Sequence, residues 1–406
     1  MQPHQRNQVG ILGAHVAALA LNIFVALFLM ARIFSETDYS LLVIGYFNLV
    51  QMGALIVGFA ATSYFVKRFS RVWSIRFSAV LKVTAILMII FMQDYIVEYY
   101  LLFVAIFGLA DGIYWGAILT LTSQSLSGKR MGAFIAWEQV IRALATIAFP
   151  FTLGILIDFV DFHVAAIISG VLGLVLVGFT FVLTEEKTRD NRPLSMIAYL
   201  RTMKQTGKSR AVWSHFALQT FHDTYRRVTV LVTVLIILAF GDNLSLGMFG
   251  SIFAAANIVI IILWKWSSKK SQRVGKGMYW VSAVAPLLFG IPLMFIVSPA
   301  TIILLQVGYF AFGCIIRAEA DELRFNLTSY MGDKSWHTES LLLTEYGFFI
   351  PRVIMPLVII LAYFVDAFII VQGLVLAMMA LVLVVGVMIH GWRRKYIQVQ
   401  AKGSVE

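Results

Sequence analysis

Charge is scarce along this chain and arrives in clusters, and the apolar stretches between clusters are long enough to cross a bilayer. A crossing takes ~20 residues of α-helix at about 1.5 Å rise per residue. The sequence predicts spans near 9–33, 39–65, 77–93, 98–124, 131–157 and 163–184. A second set follows near 211–240, 244–266, 277–297, 300–328, 339–365 and 367–390. Of 406 residues, 60% are hydrophobic and 13% charged. Soluble domains run nearer half and a quarter, so a soluble enzyme, a disordered chain and a collagen-like fibre are excluded. The first run, from Val9, is longer than a secretory h-region and lacks a small-residue cleavage site, so it is expected to stay as a helix. The expected fold is an all-α integral membrane protein of twelve transmembrane helices.

The net charge of +11 invites a nucleic-acid partner, but no basic stripe is interleaved with aromatics, and none is expected. The positive residues sit between spans and report topology. One set of loops holds Lys67, Arg68, Arg71 and Arg76; Lys129 and Arg130; Lys269, Lys270, Arg273 and Lys276; Lys334; and Arg393, Arg394 and Lys395. The alternate set holds Glu36, Asp38, Asp94, Glu98, Asp158, Asp161, Asp242 and Asp366, with Arg32 as its positive exception. Lys and Arg accumulate on the cytoplasmic side. The expectation is a multi-pass protein of the plasma membrane with both termini cytoplasmic, touching anionic lipids through those loops. The one cysteine, Cys314, lies in an apolar run, and no redox, metal or cofactor role is expected.

The two halves echo each other at an offset of 205 residues. Ser40 and Gly45 match Ser245 and Gly250; Arg68 and Arg71 match Arg273 and Lys276; Phe107-Gly108 matches Phe312-Gly313; Lys129 matches Lys334; Phe159-Val160-Asp161 matches Phe364-Val365-Asp366. One offset shared across separate places implies two six-helix parallel repeats. The expected organisation is an N-terminal half over 1–184, a cytoplasmic linker over 185–210 and a C-terminal half with a basic tail over 211–406. The linker carries Glu185, Glu186, Lys187, Arg189, Arg192, Arg201, Lys204, Lys208 and Arg210. After Pro193, the spacing of Leu194, Ile197, Leu200 and Met203 predicts a short helix on the membrane surface.

Six plus six helices about a long linker resembles the major facilitator superfamily over essentially the whole chain. That family carries a loop signature after its second helix, roughly G-x-L-x-D-R-x-G-R. Here Ser63-Tyr64-Phe65-Val66-Lys67-Arg68-Phe69-Ser70-Arg71 keeps the basic positions, replaces both glycines with serine and puts Lys67 in place of the acid. The second loop, Ser271-Gln272-Arg273-Val274-Gly275-Lys276, keeps Gly275 and also lacks the acid. The acid that latches the cytoplasmic ends in the family is therefore not carried over. The proton–drug antiporter signature in the fifth helix is absent too, the segment reading Phe149-Pro150-Phe151-Thr152-Leu153-Gly154. The resemblance is to a bacterial-type twelve-helix permease with a degenerate loop signature. It implies that spans 1, 4, 7 and 10 line a central cavity and that spans 2, 5, 8 and 11 meet between halves.

A charge at the bilayer centre costs at least ~2.5–3.5 kcal/mol on insertion scales, so each such residue is a site candidate. Span 7 carries His215, Gln219, His222 and Arg226 on one face, with Asp223 and Arg227 at i, i+4 alongside. Span 10 carries Arg317, Asp321, Arg324 and Thr328, with Glu319 and Glu322 beside them. Span 4 offers Asp111 and, one turn on, Trp115; span 1 offers His15 and Asn22. Asp111, His222, Asp223, Arg317 and Arg352 fall ~15–22 Å from the cytoplasmic ends, near the midplane, counting about 1.5 Å per residue. Candidate substrate contacts are Asp111, Trp115, His215, Gln219, His222, Arg226, Arg317, Asp321 and Arg352. Candidate proton carriers are Asp111, Asp223 and Asp321. Glu138 with Arg142 and Glu345 with Arg352 read as gating or helix-bridging pairs, or as pairs that neutralise each other. Arg68, Arg71, Arg273, Gly275 and Lys276 form the loop motif. Lys82 reads as a snorkelling residue near the inner end of span 3, and aromatic residues such as Trp115, Trp137 and Tyr225 as packing or as a platform for a sugar ring.

These features point to a secondary active transporter of a small, anionic or polar solute, working by alternating access and coupled to protons. The alternative on the same fold is a flippase for a lipid or lipid-linked sugar; a non-transporting membrane sensor or scaffold comes behind both. An enzyme is not expected, since HExxH, paired metal-ligand and nucleophile-elbow motifs are all missing. The expected partners are the small-molecule or lipid substrate and membrane lipids, with the chain acting as a monomer.

Overall fold

A computed structural model describes residues 3–125, 129–185, 195–240, 243–330, 336–365 and 368–403. Glu186, Lys187, Arg189, Arg192, Pro193, Leu194, Asp242, Lys334 and Asp366 lie outside these residues, as do the side chains of Lys67, Lys129, Arg130, Lys269, Lys270, Glu322, Arg324, Thr328, Arg393, Arg394 and Lys395. The described chain is helical throughout. Its helices are α1 (3–36), α2 (Leu41–Arg68), α3 (Arg71–Phe91), α4 (Ile96–Ser125), α5 (Lys129–Phe159), α6 (Phe162–Val182), α7 (Met196–Gln205), α8 (Ser209–Arg226), α9 (Val228–Phe240), α10 (Asn243–Lys270), α11 (Gln272–Gly290), α12 (299–330), α13 (His337–Phe364) and α14 (Phe368–Gly403). Wide π turns interrupt α1 at Phe24–Leu29 and α12 at Val307–Phe312.

Among the described residues, eleven helices are long and apolar enough to cross a membrane. The segment expected as one span over 211–240 is instead two helices, α8 and α9, with Arg227 between them. The polar stripe of α8 explains the difference in hydropathy. The break itself is tight, since the Arg227 amide still donates to the carbonyls of Asp223 and Thr224 at 3.2 and 3.1 Å. Within the bilayer, such a break is tolerated only where protein or a wet cavity surrounds it.

The chain forms two compact units. The first comprises Met1–Pro193, Phe240–Ala254 and Pro356–Val365; the second comprises Leu194–Ala239, Ala255–Met355 and Asp366–Glu406. In the first unit, α2 and α4 touch backbone to backbone. A Cβ on Gly112 would sit 2.0 Å from the Leu55 carbonyl oxygen, one on Gly108 2.2 Å from that of Gln51, and one on Gly58 2.2 Å from that of Leu109. Small residues at such spacing are how membrane helices approach closely when lipid offers no hydrophobic drive. The start of α10 packs against the end of α5 in the same way, with Gly247 against Pro150 and Gly154. There the Asp158 carboxylate accepts from the amides of Leu244 (2.6 Å) and Asn243 (3.3 Å), capping α10, and Ser251 donates to the Ile147 carbonyl at 2.6 Å.

In the second unit, Trp392 Nε1 donates to Ser214 Oγ at 2.7 Å and so ties α14 to α8; Tyr279 OH donates to the Gly386 carbonyl at 2.5 Å and ties α11 to α14. The linker helix α7 turns Tyr199 and Met203 into this unit. Ile197, read in the sequence as part of the apolar face of a membrane-surface helix, is exposed, while the i, i+4 pair of Tyr199 and Met203 forms the inward stripe.

Candidate functional site

The two units carry separate polar clusters. In the first, α3 places Lys82 beside Asp111 of α4, with the Lys82 ammonium 2.5 Å from Asp111 Oδ1. Asn22 of α1 closes a triangle: its Oδ1 accepts from Lys82 at 3.1 Å and its Nδ2 donates to Asp111 at 3.3 Å. The ammonium also lies 5.0 Å from the Phe107 ring and 5.1 Å from the Tyr114 ring. Lys82 has no exposed surface, so it does not snorkel. The expectation failed because α3 begins at Arg71, not near 77, which puts Lys82 at the middle of the helix. Removing one member of such a pair strands the other charge, which typically costs ~3–5 kcal/mol.

One turn beyond Asp111, the fully buried Tyr114 extends this cluster. Its hydroxyl and His15 Nδ1 are 2.9 Å apart, while His15 Nε2 lies 3.2 Å from Glu138 Oε1 of α5. Glu138 is also paired with Arg142 one turn along α5. Trp115 packs against the edge of His15 at 5.0 Å, with the Arg142 guanidinium 5.9 Å from its ring. Glu138 is thus more than half of an i, i+4 pair, because α1 and α4 reach it through His15 and Tyr114. Trp137, by contrast, is exposed.

In the second unit, Asp223 of α8 is gripped by Arg227, whose Nε and Nη2 donate to Oδ2 at 3.1 and 3.0 Å. Arg352 of α13 stands 3.6 Å from the same oxygen and 4.0 Å from Glu345, with Phe348 and Phe349 at cation–π distance. Arg352, expected as a clamp for solute, is thus already between two carboxylates. Arg226 is exposed and lies within electrostatic reach of Asp321 and Asp223. His215, Gln219 and His222 are buried on the expected shared face. Gln219 donates to the Ala320 carbonyl of α12 at 3.1 Å, His215 meets the Trp392 ring, and His222 meets Tyr225.

Arg317 differs from these. Its Nη2 donates to Asn257 Oδ1 of α10 at 2.8 Å and to the Phe310 carbonyl at 2.9 Å, both uncharged acceptors. Tyr309 lies under the guanidinium at 4.8 Å and Phe310 at 5.4 Å. The Phe310 carbonyl belongs to the wide π turn of α12. Tyr114 and Asn257 were not singled out in the sequence, and Lys82 was read there only as a snorkelling residue. Lys82 had a signal, a lone charge inside an apolar run; Tyr114 and Asn257 have none apart from their partners.

At the loop motif, Glu185 caps α3. Its carboxylate accepts from the Val72 amide at 3.1 Å and pairs with Arg71 at 3.1 Å. Arg68, Arg273 and Lys276 are exposed. Ser70, standing where the family signature has glycine, adopts φ +119° and ψ 168°, a conformation that glycine alone takes without strain. Gly275 lies inside α11.

The fold has many solved relatives. A variant of the nucleoside transporter NupG superposes with a TM-score of 0.65 at 15% identity, covering 95% of this chain and 99% of that one. A bacterial homologue of the iron transporter ferroportin gives 0.64 at 15%, covering 96% and 98%. A D-xylose–proton symporter gives 0.62 at 12%, covering 94% and 95%. No curated protein matches the sequence. The family model for the Major Facilitator Superfamily matches residues 10–332. This chain, a membrane transporter by family and by fold, belongs to the major facilitator superfamily.

Proposed function

We propose that this protein is a secondary active carrier of a small anionic solute, working by alternating access and coupled to protons through a carboxyl group within the membrane. The observation that carries the solute class is Arg317. A guanidinium inside a span, flanked by two aromatic rings and held only by neutral acceptors among the described residues, has charge left to offer an anion. Carboxylate and phosphate groups match its planar fork bidentately. Arg226, exposed on the same unit, is the second cation available to such a ligand. Arg352 and Arg227 serve as counter-ions of Asp223. The Lys- and Arg-bearing loops argue for cytoplasmic termini in the plasma membrane. The solutes named for the fold neighbours differ from one another, so the class here rests on Arg317 rather than on them.

The test is thermal stability of the purified protein against organic anions, nucleosides, sugars, cationic drugs and lipid headgroups. A ligand at a hundred times its Kd stabilises the native state by about 2.7 kcal/mol. The expected result is a shift with an organic anion that is lost in Arg317→Gln. Shifts with sugars or cations alone overturn the anionic reading, and shifts with lipid headgroups alone favour the flippase.

A further inference from the structure

We infer that His15 and Glu138 are the pair that takes up and releases the coupling proton in the first unit, with Tyr114 as the residue that positions His15, and that Asp111 is a fixed internal counter-ion. The inference rests on the proton-coupled reading above and deepens it.

What separates the two carboxylates is the fate of their partners. If Asp111 took a proton, the Lys82 ammonium, without any exposed surface, would lose its only charged partner among the described residues. Asn22, the remaining contact, is neutral. If Glu138 took a proton, Arg142 would keep its charge on a side chain 47% exposed, so the cation left behind would not be enclosed by protein as Lys82 is. A proton can therefore come and go at Glu138 without the penalty that pins Asp111 in its ionised form.

His15 completes the acceptor. Imidazole is the side chain whose charge changes between pH 5 and 8 in water. Its Nε2 faces Glu138 and its Nδ1 faces the Tyr114 hydroxyl. That hydroxyl donates to Nδ1 when the ring is neutral and accepts from it when the ring is an imidazolium, so both protonation states are satisfied in one geometry. The side chains of His15 and Glu138 are 13% and 15% exposed, so neither is wholly enclosed by protein.

The charged surroundings are accounted for helix by helix. On α3, Lys82 faces the Tyr114 ring; on α4, Asp111 lies one turn from Tyr114; on α5, Arg142 pairs with Glu138. Of the remaining neighbours of α1, α2 meets it at Met30, where Asn48 lies, and α6 has His163 as its one ionisable residue. It sits at the far end of α6, where Phe162 stacks on Phe24, whereas Gly13, two residues from His15, meets Phe179. The proton thus passes from water to Glu138 or His15 Nδ1 and back, with no bond to any other group made or broken.

The test uses the full-length protein in lipid nanodiscs, without solute. Infrared difference spectra between acid and neutral buffer report a carboxylic acid band as a carboxylate protonates, and histidine-selective nitrogen-15 spectra report each imidazole. The expected result is a carboxylic acid band absent in Glu138→Gln and retained in Asp111→Asn, with a titrating imidazole absent in His15→Gln. Tyr114→Phe should move the pH midpoint of that imidazole while leaving the carboxyl band. A band that follows Asp111, Asp223 or Asp321 instead overturns the assignment, as does an imidazole of His15 that does not titrate. Where Glu138→Gln fails to fold, the imidazole titration of the wild type still decides. Failure of proton coupling itself reads differently: the Glu138 band and the His15 titration are present, but solute uptake ignores an imposed pH gradient.

Discussion

The fourth span and the helix that lies 205 residues later in the sequence put matching positions to opposite uses. On α4, Gly108, Gly112 and Gly116 run up one face at i, i+4, i+8; the positions at that offset on α12 are Gly313, Arg317 and Asp321. Glycine on α4 lets α2 lie against it, backbone on backbone. On α12, the same register presents a guanidinium that bridges to Asn257 of α10 through a side-chain hydrogen bond. The ionisable residues of the two polar clusters are likewise unshared. Lys82, Asp111, Glu138 and Arg142 correspond to Leu287, Ile316, Leu343 and Gly347, while Asp223 and Arg352 correspond to Ala18 and Ile147. Similar helical frames can carry different sequences because packing tolerates many apolar residues. A charge in the membrane survives only beside its partner, so the charges differ between the units as groups. The first unit holds a linked network of opposite charges; the second holds arginines around Asp223 and an arginine with neutral company.

That contrast can be broken. The largest effect is expected in the network. Lys82→Met alone should destabilise the protein by ~3–5 kcal/mol, whereas Lys82→Met with Asp111→Leu should recover most of the loss, since a buried pair is often replaceable as a whole. Thermal melts of the singles and the double measure this; a double as unstable as the single would mean that the pair also fixes helix geometry. Next comes the arginine with neutral company. Arg317→Gln should weaken the binding of an anionic solute roughly 10- to 100-fold, as expected for losing a charge-assisted hydrogen bond, while costing less stability than Lys82→Met. Equilibrium binding together with a melt separates the two terms. The glycine face follows. Gly112→Val should cost ~1–3 kcal/mol by overpacking against Leu55, and a neutral result would show that α2 can give way. The smallest effect compares the two loops. Ser70→Gly should stabilise by ~1 kcal/mol, the strain released being larger than the few tenths lost from the cap that Ser70 gives Trp73. Gly275→Ser, in a helix, should gain at most ~0.5 kcal/mol.

The sequence was most legible where hydropathy alone decides structure. Eleven of the expected spans appear among the described residues as helices long and apolar enough to cross, because a bilayer leaves an apolar run of that length few alternatives. The break at Arg227 was not legible, since α8 and α9 together still have the length of a span. The polar stripe of His215, Gln219 and His222 was readable from spacing because α8 is regular there. Which charge pairs with which was not. Local pairs such as Asp223–Arg227 and Glu138–Arg142 follow from i, i+4 geometry, but His15–Glu138 and Lys82–Asp111 join different helices, and only packing brings them together. Lys82 shows how a boundary error propagates: a start misplaced by six residues moved a mid-membrane charge to the headgroups.

The π turn in α12 ties chemistry to helix register. A π turn holds one residue more than an α turn, and Arg317 is bonded to the Phe310 carbonyl within it. An anion that drew the guanidinium away would take one donor from that oxygen. Were the turn to tighten to α geometry, everything on one side of it would rotate by about 100° relative to the other, one residue's share of a 3.6-residue turn. The Phe310 carbonyl is thus where a contact made by Arg317 meets the phase of α12, as a ratchet tooth meets its wheel.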